Sequence, residues 1–510
     1  MSIFKIAYLP PLLIYASAGV SGLTSIVGIF FIKDFLSLSA AFIASIGFWA
    51  GIPWALKMPV GFLIDRYWKL KKYFVYFGAF LVSISLLIMY GILVHKNIML
   101  QYLEIKAWFV LSSILTPIGY VLQDVVADAM TVEAVEPDFK NNTKQIKKEN
   151  IKKEHTMLQL YGRFAIIFGS LLVGLINLFI FKDVDESYAN INLLYGKIYL
   201  YALIIPAISV LGIVLFDFLH KGETRSVDFK TTKLDYQIFL GSCTFVVFTV
   251  FFGAFNIPLS KEIILVSSLL LIAILMRLLI KNLKKEEQYT IVGTAIIIFV
   301  FRAMPSPGSG LNWFEIDVLG FNQSFFSLLS IISALVTLIG IIALRKVIIR
   351  ASLSKLFIVL SIFSSILYAP SLFMYYGLHN YTSFITNGLV DAKFIAILNT
   401  TVESPLVQVA MIPMLAWIAK NAPSKYKATF FAVFASFTNI ALSARELLTS
   451  YLNKIFVISR EVVDEQSNKI IAKANYDDLD NLLITLIIVT LIIPLITIYM
   501  VQKTKLRSTE

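Results

Sequence analysis

The chain has 510 residues, of which 58% are hydrophobic and 15% are charged. This composition excludes an ordinary soluble domain of that length and indicates a protein that crosses a membrane many times. The net charge of +12 does not indicate nucleic acid binding, because the Lys and Arg residues cluster between apolar runs, as in cytoplasmic loops of membrane proteins.

Apolar windows of about twenty residues predict fourteen membrane-spanning helices. The six spans of the N-terminal half are expected near 8–34, 38–65, 73–94, 106–134, 156–181 and 196–219. The later spans are expected near 236–256, 262–281, 288–319, 322–344, 353–377, 384–419, 426–455 and 479–502. The first span is too long for a signal peptide, so we expect it to be uncleaved. Alternate connections are basic, which predicts a plasma or inner membrane protein with both termini in the cytoplasm.

A pattern of aromatic, acidic and aliphatic residues occurs twice in the chain. It is Phe31-x-x-Asp34-x-Leu36-x-Leu38-x-x-x-Phe42 in the first copy and Phe314-x-x-Asp317-x-Leu319-x-Phe321-x-x-x-Phe325 in the second. The repeat predicts two related halves of six spans each. This is the major facilitator arrangement, in which a substrate binds near the midplane between the halves.

Counting from the repeat divides this all-α protein into three parts. Residues 1–220 form an N-terminal six-helix bundle, in which the lysine-rich segment 136–155 is too polar to pack and is predicted to be a mobile cytoplasmic loop. Residues 221–287 form a linker with an inserted transmembrane hairpin at 236–281. Residues 288–510 form a C-terminal six-helix bundle.

The segment Arg302-Ala-Met-Pro-Ser-Pro-Gly-Ser-Gly310 falls inside the first span of the second half, if the repeat is used as the guide. Its prolines and glycines predict a broken or kinked helix, which a membrane protein tolerates where protein or water meets the freed backbone groups. Such breaks often mark a binding site. A plain turn between two short spans is the alternative.

Two aspartates stand in an apolar run of the predicted fourth span. Asp124 and Asp128 are four residues apart and share one helix face. A carboxylate in a bilayer costs about 2.5–3.5 kcal/mol on insertion scales, so it usually faces a cavity or an opposite charge. A rise of about 1.5 Å per residue puts both at the depth of Lys57 and Arg163, which predicts a charge network with Gln123 beside it. The network either couples protons to transport or is a static structural bracket.

The C-terminal half carries a second set of charges. Arg302, Glu403 and Arg445 are expected near the midplane or just outside it, and two cations with one anion leave a positive remainder. A guanidinium suits a carboxylate or phosphate on a substrate. Asn399, one turn from Glu403, offers a neutral hydrogen bond. Alternatively, Glu446 neutralises Arg445.

Trp54 lies near the proposed cavity, where it could stack on a flat substrate ring or simply serve as packing. The sequence has no P-loop, metalloprotease helix, dinucleotide fingerprint or nucleophile elbow, so we do not expect an enzyme. The single Cys243 excludes an internal disulfide and shows no metal-ligand spacing. We therefore expect no cofactor and no metal site.

Motifs in both halves are similar to those of one known transporter family. They are Gly19-x-x-Gly22-Leu23, Lys33-Asp34-x-Leu36, Pro53-Trp54-x-x-Lys57-x-Pro59-x-Gly61, Gln123-Asp124-Val-Val-Ala-Asp128-Ala129, Glu133, Pro305-Ser306, Trp313-Phe314, Leu319-Gly320-Phe321, Ala428-Thr429-Phe430-Phe431-Ala432 and Asn439. These motifs resemble the folate-biopterin transporter family of the major facilitator superfamily. The hairpin at 236–281 departs from the usual twelve spans of that family.

The resemblance implies a monomeric secondary active transporter that moves folate, pterin or a related anionic aromatic metabolite by alternating access, commonly with proton coupling. Asp124 or Asp128 would carry the proton, and Arg302 and Arg445 would bind the anionic group. Another organic anion or a nucleoside-like metabolite is the alternative cargo. A membrane scaffold or sensor that does not transport is the alternative of a different class.

Overall fold

The computed structural model of the chain is helical, apart from one pair of short strands. It describes every residue except 1–4, 36–37, 56, 58–59, 62–63, 65–69, 136–147, 183, 185–190, 220–239, 242, 245–246, 249–250, 253–257, 282, 345–351, 422–426, 464–469 and 508–510.

The helices of the first part are α1 (Leu9–Val20), α2 (Ser25–Phe35), α3 (Ala40–Ala55), α4 (Lys71–Val94), α5 (Lys96–Leu100), α6 (Ile105–Val135), α7 (Lys148–Phe181), α8 (Ile191–Tyr201) and α9 (Ile204–Leu219). The elements of the second part are α10 (Ser260–Ile280), α11 (Lys285–Arg302), α12 (Ser309–Asp317), α13 (Gln323–Ala343), α14 (Leu353–Ile366), α15 (Ala369–Tyr375), α16 (Leu378–Ile385), α17 (Ala392–Asn421), α18 (Lys427–Ile455), β1 (Val462–Val463), β2 (Ile470–Ala472) and α19 (Leu479–Lys503).

Within the described residues, 9 helical segments are long and apolar enough to cross a membrane. They include α4, α6, α7, α10, α13 and α19, and α3 is a shorter apolar helix. The chain is therefore an integral membrane protein with multiple spans, as predicted. The count of fourteen spans and the division into two six-helix bundles stay predictions.

α7 and α17 are two of the helices whose bounds differ from the predicted ones. α7 begins at Lys148, inside the segment 136–155 that was predicted to be a mobile loop. Lys and Glu are good helix formers, so the polar segment extends the apolar helix by two turns. Residues 136–147 lie outside the described residues. The predicted span at 384–419 is α17, which begins only at Ala392.

The second half of the predicted hairpin at 236–281 is α10, whereas much of the first half lies outside the described residues. α10 packs against α18. Its buried Ile264 lies in one apolar cluster with Phe48, Ile52 and Leu447. The inserted helix thus covers the line where α3 meets α18.

Contacts divide the chain into two compact units. Unit 1 comprises Met1–Gly28 and Pro59–Tyr236, and unit 2 comprises Ile29–Met58 and Gln237–Glu510. α3 falls in unit 2 because it packs along α18. The domain boundaries drawn from the sequence stay a prediction.

In unit 1, α4 and α6 approach closely at two facing glycines. A Cβ on Gly78 would lie 2.5 Å from the carbonyl oxygen of Gly119, so neither position has room for a side chain. Further along the same pair of helices, the Ser85 hydroxyl lies 2.8 Å from that of Ser112 and 2.6 Å from that of Thr116. Small residues and interhelical hydroxyl bonds hold these helices together, as is common in membrane proteins.

In unit 2, the chain leaves the helical conformation between α11 and α12, within the segment predicted to be broken. Gly308 has a φ of 74°, which favours glycine. The backbone N–H of Ser306 donates to the Thr449 hydroxyl at 3.0 Å, and the Asn453 amide donates to the Pro307 carbonyl at 3.2 Å. Side chains of α18 therefore satisfy backbone groups that the break frees.

The segment between α18 and α19 fixes the far end of α12. The Tyr476 hydroxyl donates to the Asp317 carboxylate at 2.5 Å. Burial, together with this carboxylate, raises the pKa of Tyr476 well above its usual range, so the hydroxyl keeps its proton. The Arg460 guanidinium lies 5.7 Å from the centre of the Trp313 ring. These contacts hold the turn of α12 that carries Glu315.

Candidate functional site

The main polar site of unit 2 surrounds Arg445 on α18. The charge of Arg445 acts on Glu403 of α17 and on the adjacent Glu446. Glu315 of α12 interacts with Glu403. Tyr368, between α14 and α15, interacts with both Glu403 and Arg445. These five residues are called the Arg445 cluster.

The Arg445 cluster contains three acids and one guanidinium. Arg445 interacts with Glu403 and Glu446, and Glu315 interacts with Glu403. The positive remainder expected for Arg302, Glu403 and Arg445 stays a prediction. The Nε atom of Arg445 is buried and has no hydrogen-bond partner among the described residues. A buried donor without a partner is costly, so the Nε of Arg445 is available to an acceptor group of a ligand.

Asn399 stands one turn from Glu403 on the same face of α17. Its side-chain oxygen is buried and has no hydrogen-bond partner among the described residues. A buried acceptor of this kind is uncommon and can take a hydrogen bond from a ligand. The predicted role of Asn399 in substrate binding stays a prediction that fits this geometry.

Arg302 lies at the end of α11. Its Nε donates to the backbone carbonyl of Thr438 at 3.2 Å, and its Nη1 lies 4.0 Å from the sulfur of Met414. These contacts connect α11 with α17 and α18. A bracing role accounts for this geometry, and the substrate-binding role of Arg302 stays a prediction.

One face of α18 docks polar side chains onto the backbone of α3. At one end, the Asn439 amide donates to the carbonyl of Trp54 at 3.1 Å. At the other end, the Ser450 hydroxyl donates to the carbonyl of Ala41 at 2.7 Å. We call this line of contact the α3–α18 seam.

Between these two bonds, two glycines of α3 leave room for side chains of α18. A Cβ on Gly47 would lie 2.8 Å from Oε2 of Glu446. A Cβ on Gly51 would lie 2.6 Å from the hydroxyl of Ser443, which is fully buried and has no partner among the described residues. Glu446 therefore belongs both to the Arg445 cluster and to the seam.

The structure places Lys57 in unit 2, next to Trp54. Its ammonium lies 5.6 Å from the centre of the Trp54 ring, within the range of a cation–π interaction. Asp124, Asp128 and Arg163 lie in unit 1. The pairing of Lys57 with the aspartates and the stacking of Trp54 on a substrate stay predictions.

Three members of the predicted charge network come together in unit 1 around a residue that sequence reasoning missed. The Tyr15 hydroxyl donates to Oδ1 of Asp128 at 2.5 Å. The charges of Asp124 and Arg163 also act on this hydroxyl. A tyrosine in an apolar span needs a partner for its hydroxyl, and that rule could have found Tyr15.

Gln123 is 2% exposed, and its Nε2 has no hydrogen-bond partner among the described residues. A Cβ on Gly78 of α4 would lie 3.0 Å from Cγ of Gln123, so the side chain lies between α6 and α4. Its predicted contact with substrate stays a prediction. The side chain of Glu133 lies outside the described residues.

Glu315 is the other functional candidate that sequence reasoning missed. It follows Phe314, the phenylalanine that begins the second copy of the repeat. This part of the sequence was considered only as the site of a predicted helix break. An acid in a predicted span indicates function by default. If this rule had been applied to Glu315, that residue would have been a functional candidate together with Glu403.

The model of the BT1 family matches residues 18–509, nearly the whole chain. The chain belongs to the BT1 family. The match corrects the assignment to the folate-biopterin transporter family that was made from the sequence motifs, because the family that matches is BT1. A comparison with curated proteins finds no match.

The BT1-family chain is similar in fold to solved transporters. A POT family transporter in complex with a thioalcohol-conjugated peptide is 14% identical, with a TM-score of 0.64 over 99% of this chain and 96% of that one. The nucleoside transporter NupG is 12% identical, with a TM-score of 0.58 over 97% and 100%. A D-xylose–proton symporter is 16% identical, with a TM-score of 0.54 over 96% and 95%.

These identities establish the fold of the BT1-family chain and not its cargo. The three solved proteins are a transporter with a bound peptide, a nucleoside transporter and a D-xylose–proton symporter. None of these names includes a folate or a pterin, so the expected folate or pterin substrate is not retained.

Proposed function

We propose that this BT1-family protein is a secondary active transporter of a small polar organic solute, driven by protons. An organic anion or a nucleoside-like metabolite is the class of cargo that fits best. The observation that carries the proposal is the Arg445 cluster, whose residues lie in the spans predicted at 288–319, 353–377, 384–419 and 426–455. Acids and a guanidinium within a membrane mark solute and proton pathways.

The Arg445 cluster offers a way to couple solute to protons. Its guanidinium presents a fork of donors that matches a carboxylate or phosphate. When an anionic group of the solute binds Arg445, it competes with Glu403 for the same cation. Glu403 then loses the charge that favours its ionised form and takes up a proton. Solute and proton thus enter the site together.

The network in unit 1 is the second candidate for carrying a proton. Asp128 accepts a hydrogen bond from Tyr15 at 2.5 Å, and Asp124 and Arg163 lie close to the same hydroxyl. A network of this kind either moves a proton or holds the helices together. Uptake measured with Asp124→Asn and Asp128→Asn separates the two roles.

The test of the proposal is uptake into proteoliposomes with an acidic outside and an alkaline inside. The labelled panel comprises nucleosides, small carboxylates and dipeptides. The wild type should concentrate one class of solute, and collapse of the pH gradient with a protonophore should remove the accumulation. Arg445→Lys keeps the charge but loses the fork, so uptake should fall at least about tenfold, the equivalent of one lost bidentate contact.

Glu403→Gln should keep exchange of solute at equal concentrations and lose the acceleration by the pH gradient. The matched control is Lys72→Gln, an exposed charge of unit 1 that pairs with Asp217 at 3.0 Å, and its uptake should equal that of the wild type. Uptake that is insensitive to Arg445→Lys and Glu403→Gln would reject this site. No uptake of any solute, with a correctly folded protein, would favour a scaffold or sensor.

A further inference from the structure

Among the described side chains that form the α3–α18 seam, one is titratable, that of Glu446. The residues of α18 that dock onto α3 are Asn439, Ser443, Glu446 and Ser450, whose spacing of four, three and four keeps them on one helix face. α3 offers only backbone carbonyls and glycines to them. A change in the charge of Glu446 therefore acts directly on this contact.

The Glu446 carboxylate lies against the backbone of α3. Its Oε2 occupies the space over Gly47, 2.8 Å from where a Cβ would stand. Within the described part of the chain, no hydrogen bond to this carboxylate is present, and the helical N–H groups of α3 already bond within their own helix. A neutral carboxyl fits this position better than an ionised one, because the ionised form has no donors to replace its water.

The surrounding charges compensate Glu446 only in part. Arg445 acts on it, but adjacent residues of a helix point to different sides, and Arg445 is shared with Glu403. The described residues of α3 include no titratable group. The titratable groups on the other helices packed against α18 near the seam and the cluster are Lys261 and Glu262 of α10, Arg302 of α11 and Glu403 of α17.

We propose that the α3–α18 seam closes only when Glu446 is protonated, and that ionisation of Glu446 opens it. Opening admits water to the carboxylate, which stabilises the ionised form, and closing expels that water. The bonds of Asn439 and Ser450 to backbone carbonyls can be exchanged for bonds to water, so the contact is reversible. This inference rests on the proposed transport function and adds to it a step in which α3 separates from α18.

The proton on Glu446 controls when the seam closes during transport. A proton that arrives with the solute allows the seam to close, and loss of that proton on the other side opens it again. Because one proton is linked to closure, the ratio of closed to open molecules should fall by up to about tenfold per pH unit once Glu446 ionises in the open form.

The experiment measures closure of the seam by cross-linking. Cys243 is replaced by Ala, and cysteines are introduced by Ala41→Cys and Ser450→Cys, positions that the seam holds in contact. The purified full-length protein in liposomes is oxidised between pH 5.5 and 8.5, with and without the additional change Glu446→Gln. Thiol ionisation affects both proteins equally, so the ratio of their cross-linking rates reports Glu446 alone.

The rate with Glu446, relative to that with Glu446→Gln, should fall at least about tenfold from pH 5.5 to pH 8.5, where one linked proton allows up to about a thousandfold. A ratio that stays constant within about twofold across this range would overturn the proposal, and so would a complete lack of cross-linking at every pH. If Glu403→Gln removes the pH dependence and Glu446→Gln does not, the proton site is Glu403 and the proposal fails.

Glu446→Asp guards against a folding defect in the Gln variant, since Asp remains titratable and should retain the pH dependence. The measurement needs no solute, so its outcome is separate from the uptake test of the proposed function. Uptake without a pH-dependent seam would reject the role of Glu446 alone. A pH-dependent seam without uptake of any solute would reject the transport function alone.

Discussion

The hydrogen bond from Tyr15 to Asp128 should contribute measurably to the stability of unit 1. Tyr15→Phe removes only the hydroxyl that lies 2.5 Å from Oδ1 of Asp128 and leaves the ring in its buried position, where it is 6% exposed. A hydrogen bond to a charged group is worth about 1.5–3 kcal/mol, and loss of the donor leaves the carboxylate less compensated. We expect Tyr15→Phe to destabilise the protein by about that amount.

A double-mutant cycle isolates this contact. Tyr15→Phe, Asp128→Asn and the combined variant are unfolded in mixed micelles of mild detergent and dodecyl sulfate, with helix content as the signal. The two changes should be coupled by about 1.5 kcal/mol or more, since they remove the same bond. If their effects add within about 0.5 kcal/mol, the two side chains do not interact and the geometry of this network is wrong.

Two further predictions concern helix packing and surface charge. Gly19→Ala should unfold the protein or lower its melting temperature strongly, because a Cβ would lie 2.1 Å from the carbonyl oxygen of Ile166. Gly28→Ala, its matched control, meets no atom within 4 Å and should be neutral or stabilising by up to about 1 kcal/mol in thermal unfolding; a severe defect there would refute the argument. Lys72→Gln breaks an exposed pair with Asp217 and should cost at most about 1 kcal/mol in the same assay.

Residue depth along the predicted helices identified three of the polar residues that come together in unit 1. Rise per residue placed Asp124, Asp128 and Arg163 at one level, and all three act on Tyr15 in the structure. Depth alone does not give the rotation of a helix, however. Whether Lys57 faces these aspartates could not be settled by that argument, since it ignores which helices pack together.

The C-terminal site shows a different limit of sequence reasoning. Charges were counted span by span, so Glu315 was left with the helix break, and neutralisation of Arg445 by Glu446 was only the alternative. The interaction of Glu315 with Glu403 became visible only when α12 and α17 were brought together. Packing between elements that are distant in sequence decides such an interaction, and hydropathy windows carry no information about it.

Hydropathy predicted the positions of the apolar segments well. It did not predict that some of these segments are divided into two helices. The long span α6 has the predicted bounds within about two residues, which is the usual uncertainty at helix ends. The predicted span at 353–377 is divided into α14 and α15, and the one at 288–319 into α11 and α12. Windows of twenty residues average over the prolines and glycines that end a helix, so they merge neighbouring pieces.

The break between α11 and α12 is not an independent hinge. Thr449 and Asn453 of α18 hold its backbone through Ser306 and Pro307. Any rigid displacement of α18 therefore carries the start of α12 with it. Glu315 on α12 and Glu446 on α18 then move together. A displacement of α18 therefore changes the surroundings of both acids at the same time.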